Sequence, residues 1–276
     1  AAEHHTNAFP ELISEAVKKA GISFEDIGLI SFSQGPGLAP CLKITSTVAR
    51  ALALSINKPI VGVNHCAAHV EIGKVKTGAK DPITLYVSGG NSQVIGETLG
   101  KYRVFGETLD IAIGNAIDKF ARELDLGFPG GPVVEKQAKG GKYISLPYTV
   151  KGMDFSFTGI VSDALRKKNA GESLRDLCFS FQETAFAMLT EVSERALSHT
   201  EKSELLLTGG VAANSRLKEM LEIMCHEREA KFYAVPREFA GDNGAMIAWQ
   251  GIRMHKEGAK QDIKDTSVRP GWRVDD

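Results

Sequence analysis

Two histidines stand four residues apart in the stretch VNHCAAHVEIG (63–73), at His65 and His69. On a helix that spacing puts both rings on one face, within reach of one metal ion. The same spacing fits two histidines packed in a core or set on a helix surface. A hydrolytic H-E-x-x-H site needs Glu directly after the first His. Cys66 stands there instead, so the stretch carries no general base of its own and argues against a zinc peptidase of that type. Its position between the two histidines suits packing rather than covalent catalysis. Further ligands must come from elsewhere. Asp242, in AGDNGAM (240–246), lies in a glycine-flanked loop ahead of a helical pattern, where its alternative role is an N-cap. Tyr86 ends the apolar run 83–87; its alternative role is a cross-strand packing aromatic.

Glycine pairs after apolar runs supply a second chemistry. ITLYVSGGN (83–91) and ELLLTGGVAAN (204–214) both run a strand pattern into Ser/Thr-Gly-Gly and then reach an Asn. Without a Cβ, such a turn lets the backbone approach a ligand and aim its N–H groups at phosphate oxygens. Ser88-Gly89-Gly90-Asn91 is followed by another strand and reads as a hairpin. Thr208-Gly209-Gly210-Val211 leads into a helix near Asn214, which places a helix N-terminus beside whatever binds. Both are equally readable as tight turns without a ligand. A third cluster, GETLDIAIGNAIDKFARELDLGFPGGP (106–132), carries Asp110, Asn115 and Asp118 near a helix start and ends in a glycine turn followed by Glu135. Carboxylates beside glycine turns suit recognition of ribose hydroxyls, although each also fits a solvated surface position.

The elements that must position these residues alternate. Helical periodicity marks 8–20, 44–56, 111–126, 173–199, 214–228 and 243–255. Strand patterns fall at 27–33, 59–63 and 83–87 and resume from Gln93. The alternation predicts an α/β layered fold. The echo between the two Gly-Gly turns predicts a duplicated unit with a cleft between two lobes.

Composition bounds the rest. The chain has 276 residues, 43% hydrophobic and 24% charged, with a formal net charge of −1. That excludes disorder and a strongly basic nucleic-acid binder, but not a local basic face. Segment 136–168 has such a bias, with Lys136, Lys139, Lys142, Lys151, Arg166, Lys167 and Lys168 against Asp154 and Asp163. Such a face suits phosphate tracking or simple solvation. Four cysteines without C-x-x-C spacing predict a reduced, intracellular chain. No unbroken apolar run is long enough for a membrane span, and no signal peptide is evident. The chain opens without Met and runs straight into a helical pattern, so it reads as starting inside a longer protein.

SQGPGLAPCL, GVNHCAAHVEIG, LYVSGGNSQV, FGETLDIAIGNAIDKFAREL, FPGGP, KGMDFSFTG, LLTGGVAANSRL and GDNGAMIAW occur in one order. Together they resemble the universal tRNA threonylcarbamoyladenosine synthesis family in its archaeal and eukaryotic KEOPS-type branch, long mislabelled an O-sialoglycoprotein endopeptidase. The resemblance covers essentially the whole chain.

It implies a two-lobed actin/Hsp70-like fold, with residues 1–82 and 243–276 in one lobe, 83–242 in the other, and the active site in the cleft. It implies His65, His69, Tyr86 and Asp242 as ligands of one metal ion, most often iron, sometimes zinc. Tyr86-Val87-Ser88-Gly89-Gly90 would line the substrate, with Asp118, Gly131, Glu135 and Asn214 holding nucleotide and ribose. The implied reaction moves threonylcarbamoyl from its AMP conjugate to N6 of the adenosine next to the tRNA anticodon, in the cytoplasm. The implied partners are tRNA, a small kinase-like ATPase, a small dimerising subunit and a further tRNA-binding subunit. The family's first glycine-containing hairpin is absent here, so the resemblance also implies an N-terminal extension beyond Ala1. Rival readings are an ATPase of the sugar-kinase or chaperone type on the same fold, a metallopeptidase, and a non-catalytic scaffold.

Overall fold

The protein is described by a computed structural model covering residues 2–276, and it divides into two compact units. One runs up to Ile72 and takes in Asn243–Val274; the other is Gly73–Asp242.

The first unit opens with α1 (Ala2–Ala20), no residue of which is buried. Strand β1 (Ile30–Gly35) follows, then α2 (Ala39–Ser55) and β2 (Ile60–Asn64). β1 and β2 pair in parallel, with Ile30 opposite Ile60 and Phe32 opposite Gly62. Ile30 and Phe32 sit two apart and face inward, as the strand period requires. They close a small core with Ile60 and with Ala49 and Ala53 of α2. Helix α3 (His65–Thr77) starts directly at the end of β2, and its first eight residues belong to this unit.

The second unit is built on a five-stranded sheet. β3 (Ile83–Val87), β4 (Ser92–Thr98) and β5 (Lys101–Glu107) form an antiparallel meander. Helices α4 (Ile113–Glu123) and α5 (Gly130–Gln137) come next. A two-residue ribbon of β6 (Val150–Lys151) and β7 (Asp154–Phe155) leads to α6 (Thr158–Asn169) and α7 (Leu174–Thr200). Strand β8 (Glu204–Thr208), a 3-10 turn at Gly210–Ala213, α8 (Ser215–Glu227), β9 (Lys231–Ala234) and α9 (Arg237–Ala240) complete it. The strand order is β5-β4-β3-β8-β9, with β3, β8 and β9 parallel.

Strand β3 is buried throughout, and so is β8 apart from its first residue Glu204. This is why ITLYV and LLLT read as continuous apolar runs rather than alternating ones. α4 buries Ile113, Ala116, Ile117, Phe120 and Ala121, a stripe at helical spacing. The Phe120 ring stacks on Phe181 of α7 at 4.4 Å between centroids. α10 (Gly244–Lys256) then returns the chain to the first unit, where it packs on β1. Gly251 permits that packing: a Cβ there would lie 1.9 Å from the Ser31 hydroxyl oxygen.

Both Gly-Gly turns lie in the second unit: β3 and β8 are neighbours in one sheet, with Tyr86 opposite Thr208, so the two turns leave the same edge side by side. One expectation from sequence needs correction: the FPGGP stretch is not a free turn. α5 begins at Gly130, so its two glycines are helical. Gly130 lets α5 lie against α4: an added Cβ would come within 2.8 Å of the Ala121 methyl. Among the described residues, no helix is long and apolar enough to cross a membrane, and no cysteine forms a disulfide.

Candidate metal centre and nucleotide cavity

Asn64 caps α3. Its Oδ1 accepts from the backbone N–H groups of Cys66 at 3.0 Å and Ala67 at 3.1 Å, and its amide nitrogen donates to the Arg273 carbonyl at 3.1 Å. The cap fixes where α3 starts, and so where His65 and His69 point. The rings lie 4.9 Å apart, edge to face, and His69 is fully buried. Farther along α3, the buried Glu71 carboxylate forms an ion pair with Arg253 of α10. α10 is itself capped by Asn243, whose Oδ1 accepts from the Met246 N–H at 2.9 Å. Asp242 therefore stands one residue ahead of the cap and is not itself the N-cap. Its carboxylate, with one nitrogen each from His65 and His69, makes a set in which all ligand atoms lie within 4.8 Å of one another.

Atoms bonded at about 2.0–2.2 Å to a common ion lie at most about 3.6 Å apart in a tetrahedral or facial arrangement. A rotamer adjustment closes the difference, so the trio fits a metal ion. Two imidazoles and a carboxylate suit iron or zinc and leave coordination positions open for substrate oxygens. Tyr86 is almost completely buried on β3, between its register partners Gln93 and Thr208.

A cavity of about 410 Å³ lies within the second unit. Gly89, Asp118, Gly131, Glu135, Gly210, Asn214, Arg237 and Gly241 contribute to its wall. It thus gathers four residues that the sequence singled out from separate segments: Asp118, Gly131, Glu135 and Asn214. Of the run Tyr86–Gly90, Gly89 alone lines it. Val87 is fully buried, and Ser88 closes the hairpin, its N–H donating to the Asn91 carbonyl at 2.8 Å. Gly241 on the cavity wall directly precedes Asp242.

The polar residues of the wall also end helices. Asp118 accepts from the Gly130 N–H at 2.8 Å, at the start of α5. Glu135 accepts from the Ser215 N–H at 2.9 Å, at the start of α8. Asn214 caps α8 by accepting from the Arg216 and Leu217 N–H groups, and it donates to Gln182 at 2.9 Å. Asp110, also picked out from the sequence, is not in the wall. It accepts from the Phe157 N–H at 3.0 Å, the Thr158 N–H at 2.9 Å and the Ser156 hydroxyl, and so anchors α6. Burial acts to raise its pKa, but those hydrogen bonds outweigh it and hold the carboxyl far below the usual range. Asn115 borders a neighbouring groove with Asp118.

The two glycines of the second turn divide their work. Gly209 has φ +99°, and a Cβ there would lie 2.1 Å from the Val87 carbonyl oxygen. It is required by the close approach of β3, as the tight-turn reading of this stretch has it. Gly210 has nothing within 4 Å of its Cβ position and lies in the cavity wall.

The model of the family tRNA N6-adenosine threonylcarbamoyltransferase (TsaD) matches residues 1–249. The chain belongs to that family. A threonylcarbamoyltransferase of Thermococcus kodakarensis is 59% identical over 278 aligned residues, which cover the whole chain and 85% of that relative. A "probable bifunctional tRNA threonylcarbamoyladenosine biosynthesis protein" of Methanobrevibacter smithii is 61% identical, again over the whole chain but over 51% of its own length. A similar protein of Methanocaldococcus jannaschii is 58% identical, with the same coverage. The chain spans about half the length of these bifunctional relatives. Among solved structures, HypF of T. kodakarensis superposes with a TM-score of 0.70 at 16% identity, covering 92% of this chain and 44% of that one. An activator of 2-hydroxyisocaproyl-CoA dehydratase from Clostridium difficile gives 0.50 at 10% identity, covering 83% and 87%. At such identities the likeness speaks for the fold alone, and it places this threonylcarbamoyltransferase-family chain among the actin/Hsp70-like α/β ATPase folds.

Arg237 is the one basic side chain of the cavity wall among the described residues, and a lone Arg in VPREFA (235–240) carries no motif signal. The Glu71–Arg253 pair joins residues far apart in sequence. Asn64, by contrast, precedes the first histidine directly, and Asn before a helical pattern is a readable N-cap.

Proposed function

We propose that the protein transfers a threonylcarbamoyl group from threonylcarbamoyl-AMP to N6 of the adenosine 3′ of the tRNA anticodon. The observation that carries the proposal is the cavity, which unites Asp118, Gly131, Glu135, Gly210 and Asn214, and whose wall residue Gly241 directly precedes Asp242 of the His65/His69/Asp242 set.

In this reading the AMP half of the donor occupies the cavity. Asp118 and Glu135 each use one carboxylate oxygen on a helix N-terminus, which fixes the second oxygen for a ribose hydroxyl. Gly210 and Gly131 let the ligand approach the backbone, since no atom lies within 4 Å of either Cβ position. Arg237 supplies positive charge on the same wall, suited to the phosphate. His65, His69 and Asp242, with Tyr86 as the fourth, would hold iron or zinc, which supplies Lewis-acid polarisation of the carbamoyl carbonyl when bound.

The adenosine N6 attacks the carbamoyl carbon. The new C–N bond forms as the C–O bond to phosphate breaks, AMP leaves with the electron pair, and N6 gives up a proton to solvent. Backbone N–H groups of the 3-10 turn at Gly210–Ala213 face charge that builds on the leaving phosphate. No side chain acts as a covalent nucleophile in this scheme: Cys66 is buried inside α3. A cytoplasmic complex with a small kinase-like ATPase, a small dimerising subunit and a further tRNA-binding subunit completes the proposal.

The test is transfer of labelled threonylcarbamoyl from its AMP conjugate to tRNA, with those partner subunits added and metal content measured in parallel. Product that needs tRNA and the conjugate supports the assignment. ATP hydrolysis without transfer would replace it with an ATPase of the sugar-kinase or chaperone type.

A further inference from the structure

Between α5 and β6 the chain runs from Lys142 to Thr149 without regular structure, yet hydrogen bonds strap it to α7 between Asp176 and Glu191. The Lys142 N–H donates to Asp176 at 2.7 Å, and the Ile144 N–H to the Ser180 hydroxyl at 2.7 Å. The Tyr143 and Thr184 hydroxyls share a hydrogen bond of 3.4 Å. The Thr149 N–H meets the Met188 sulfur at 3.2 Å, and the Tyr148 hydroxyl donates to Glu191. Positions 176, 180, 184, 188 and 191 form one stripe along α7. Tyr143 and Tyr148 are therefore held by their hydroxyl ends while their rings stay out, 57% and 50% exposed.

Exposed aromatics are not rare, but these two have unusual company. From Lys136 to Lys151 there are four lysines and no acidic residue. Lys136, Lys139, Lys142 and Lys151 all reach solvent. Elsewhere in the basic stretch the charges are partly spent: Arg166 pairs with Asp163 at 2.5 Å, and Lys168 donates to the Glu123 carbonyl at 3.2 Å. The acidic group at the strap's far end, Glu191, is paired with Arg195.

The two anchors, Thr184 and Glu191, are two helical turns apart, about 10 Å along the axis. Nucleotides in a strand advance about 3.4 Å each, so the spacing suits the ends of a run of about three stacked steps. Fixed rings with lysines beside them are what a single-stranded nucleic acid needs: faces for its bases and cations for its phosphates.

We propose that the strap 142–149 on α7 is a single-stranded RNA platform, with Tyr143 and Tyr148 stacking bases and Lys139, Lys142 and Lys151 meeting phosphates. It rests on the tRNA reading above and narrows it to loop nucleotides. A protein partner is the competing occupant, and it would use the same rings as apolar contacts.

The experiment measures binding of a fluorescent tRNA anticodon stem–loop to the full chain with its partner subunits, across a salt series. Tyr143→Leu and Tyr148→Leu should each weaken binding about 5- to 100-fold with an unchanged salt slope, while Tyr143→Phe and Tyr148→Phe, which keep the ring but lose its hydroxyl anchor, should each lose clearly less than the matching Leu variant. Lys142→Glu with Lys151→Glu should lower the salt slope by about 0.7 for each phosphate no longer neutralised. Circular dichroism of each variant guards against misfolding, and the Phe pair keeps the test informative if a Leu variant unfolds. Wild-type-like RNA binding by folded Leu variants overturns the platform. Loss of partner-subunit assembly with RNA binding intact assigns the strap to a protein instead. Wild-type protein that binds no tRNA at all refutes the functional reading as well as the platform.

Discussion

The two glycines at 209 and 210 allow stability and ligand binding to be separated within one turn. Gly209→Ala introduces a methyl whose carbon would sit 2.1 Å from the Val87 carbonyl oxygen, far inside van der Waals contact. Gly209 also has φ 99° and ψ 167°, a region essentially reserved for glycine. The backbone penalty is about 1–3 kcal/mol. Forcing β3 and β8 apart adds a similar amount, of order 1–3 kcal/mol. Together they predict a loss of about 2–6 kcal/mol, which for a chain of this size means a fall in Tm of roughly 5–15 °C. Gly210→Ala meets nothing within 4 Å and has no positive φ, so its stability should change by less than about 0.5 kcal/mol. Its methyl projects into the cavity wall, however, and should weaken an adenine nucleotide about tenfold through overpacking. Calorimetry supplies both readouts, scanning for Tm and titration for Kd. A Gly210→Ala protein with wild-type nucleotide affinity would refute the cavity as the nucleotide site. A Gly209→Ala protein of wild-type Tm would refute the steric account of the turn.

Three further outcomes are expected. His65→Ala combined with His69→Ala should abolish bound metal, because Asp242 with Tyr86 cannot hold it alone; elemental analysis showing full occupancy in the double variant would remove the metal assignment. Asn64→Ala should cost about 1 kcal/mol of stability through removal of the cap and also lower metal affinity, since the cap sets the start of α3; unchanged metal affinity in a titration would limit Asn64 to a structural role. Asp110→Ala should destabilise by about 1–2 kcal/mol at neutral pH. The Asp110 pKa is depressed in the folded state, so its contribution is full above the ordinary carboxylate value of about 3.9 and fades as pH falls below it; the wild-type and variant unfolding curves should converge in acid, and a constant gap would contradict the hydrogen-bonding account.

The chemistry-bearing residues were legible in sequence where one local pattern carried the signal. His65 and His69 announce themselves by i, i+4 spacing, and α3 duly puts both in one place. Strand β3 is readable to the residue, because five buried positions, four of them apolar, leave no period to misjudge. α5 was missed for the opposite reason. Its helical turn begins Gly-Gly-Pro, the residues that ordinarily signal a break, and packing of Gly130 on α4 overrides that local preference. The placement of both Gly-Gly turns on one sheet edge lies beyond any local signal, since it depends on β3 pairing with β8 across more than a hundred residues. The same is true of Arg237, which joins the cavity through the fold.

The cavity is built from residues that also close helices, and this shapes how it works. Asp118, Glu135 and Asn214 each satisfy backbone N–H groups that would otherwise be orphaned at the starts of α5 and α8. A side chain tied at one atom loses its rotamer freedom on folding rather than on binding, so less entropy remains to be lost when a ligand arrives. Replacing Asp118 or Glu135 by Ala removes a cap and, on the proposed reading, a ligand-binding group together, and a drop in activity would not say which mattered. Asn in place of Asp118, or Gln in place of Glu135, keeps an acceptor for the helix N–H but removes the charge. If the second carboxylate oxygen receives a ribose hydroxyl, these variants should keep their Tm and lose nucleotide affinity by about 1.5–3 kcal/mol, the worth of a hydrogen bond to a charged group. Equal losses in Tm and affinity would mean that the carboxylates serve the helices alone.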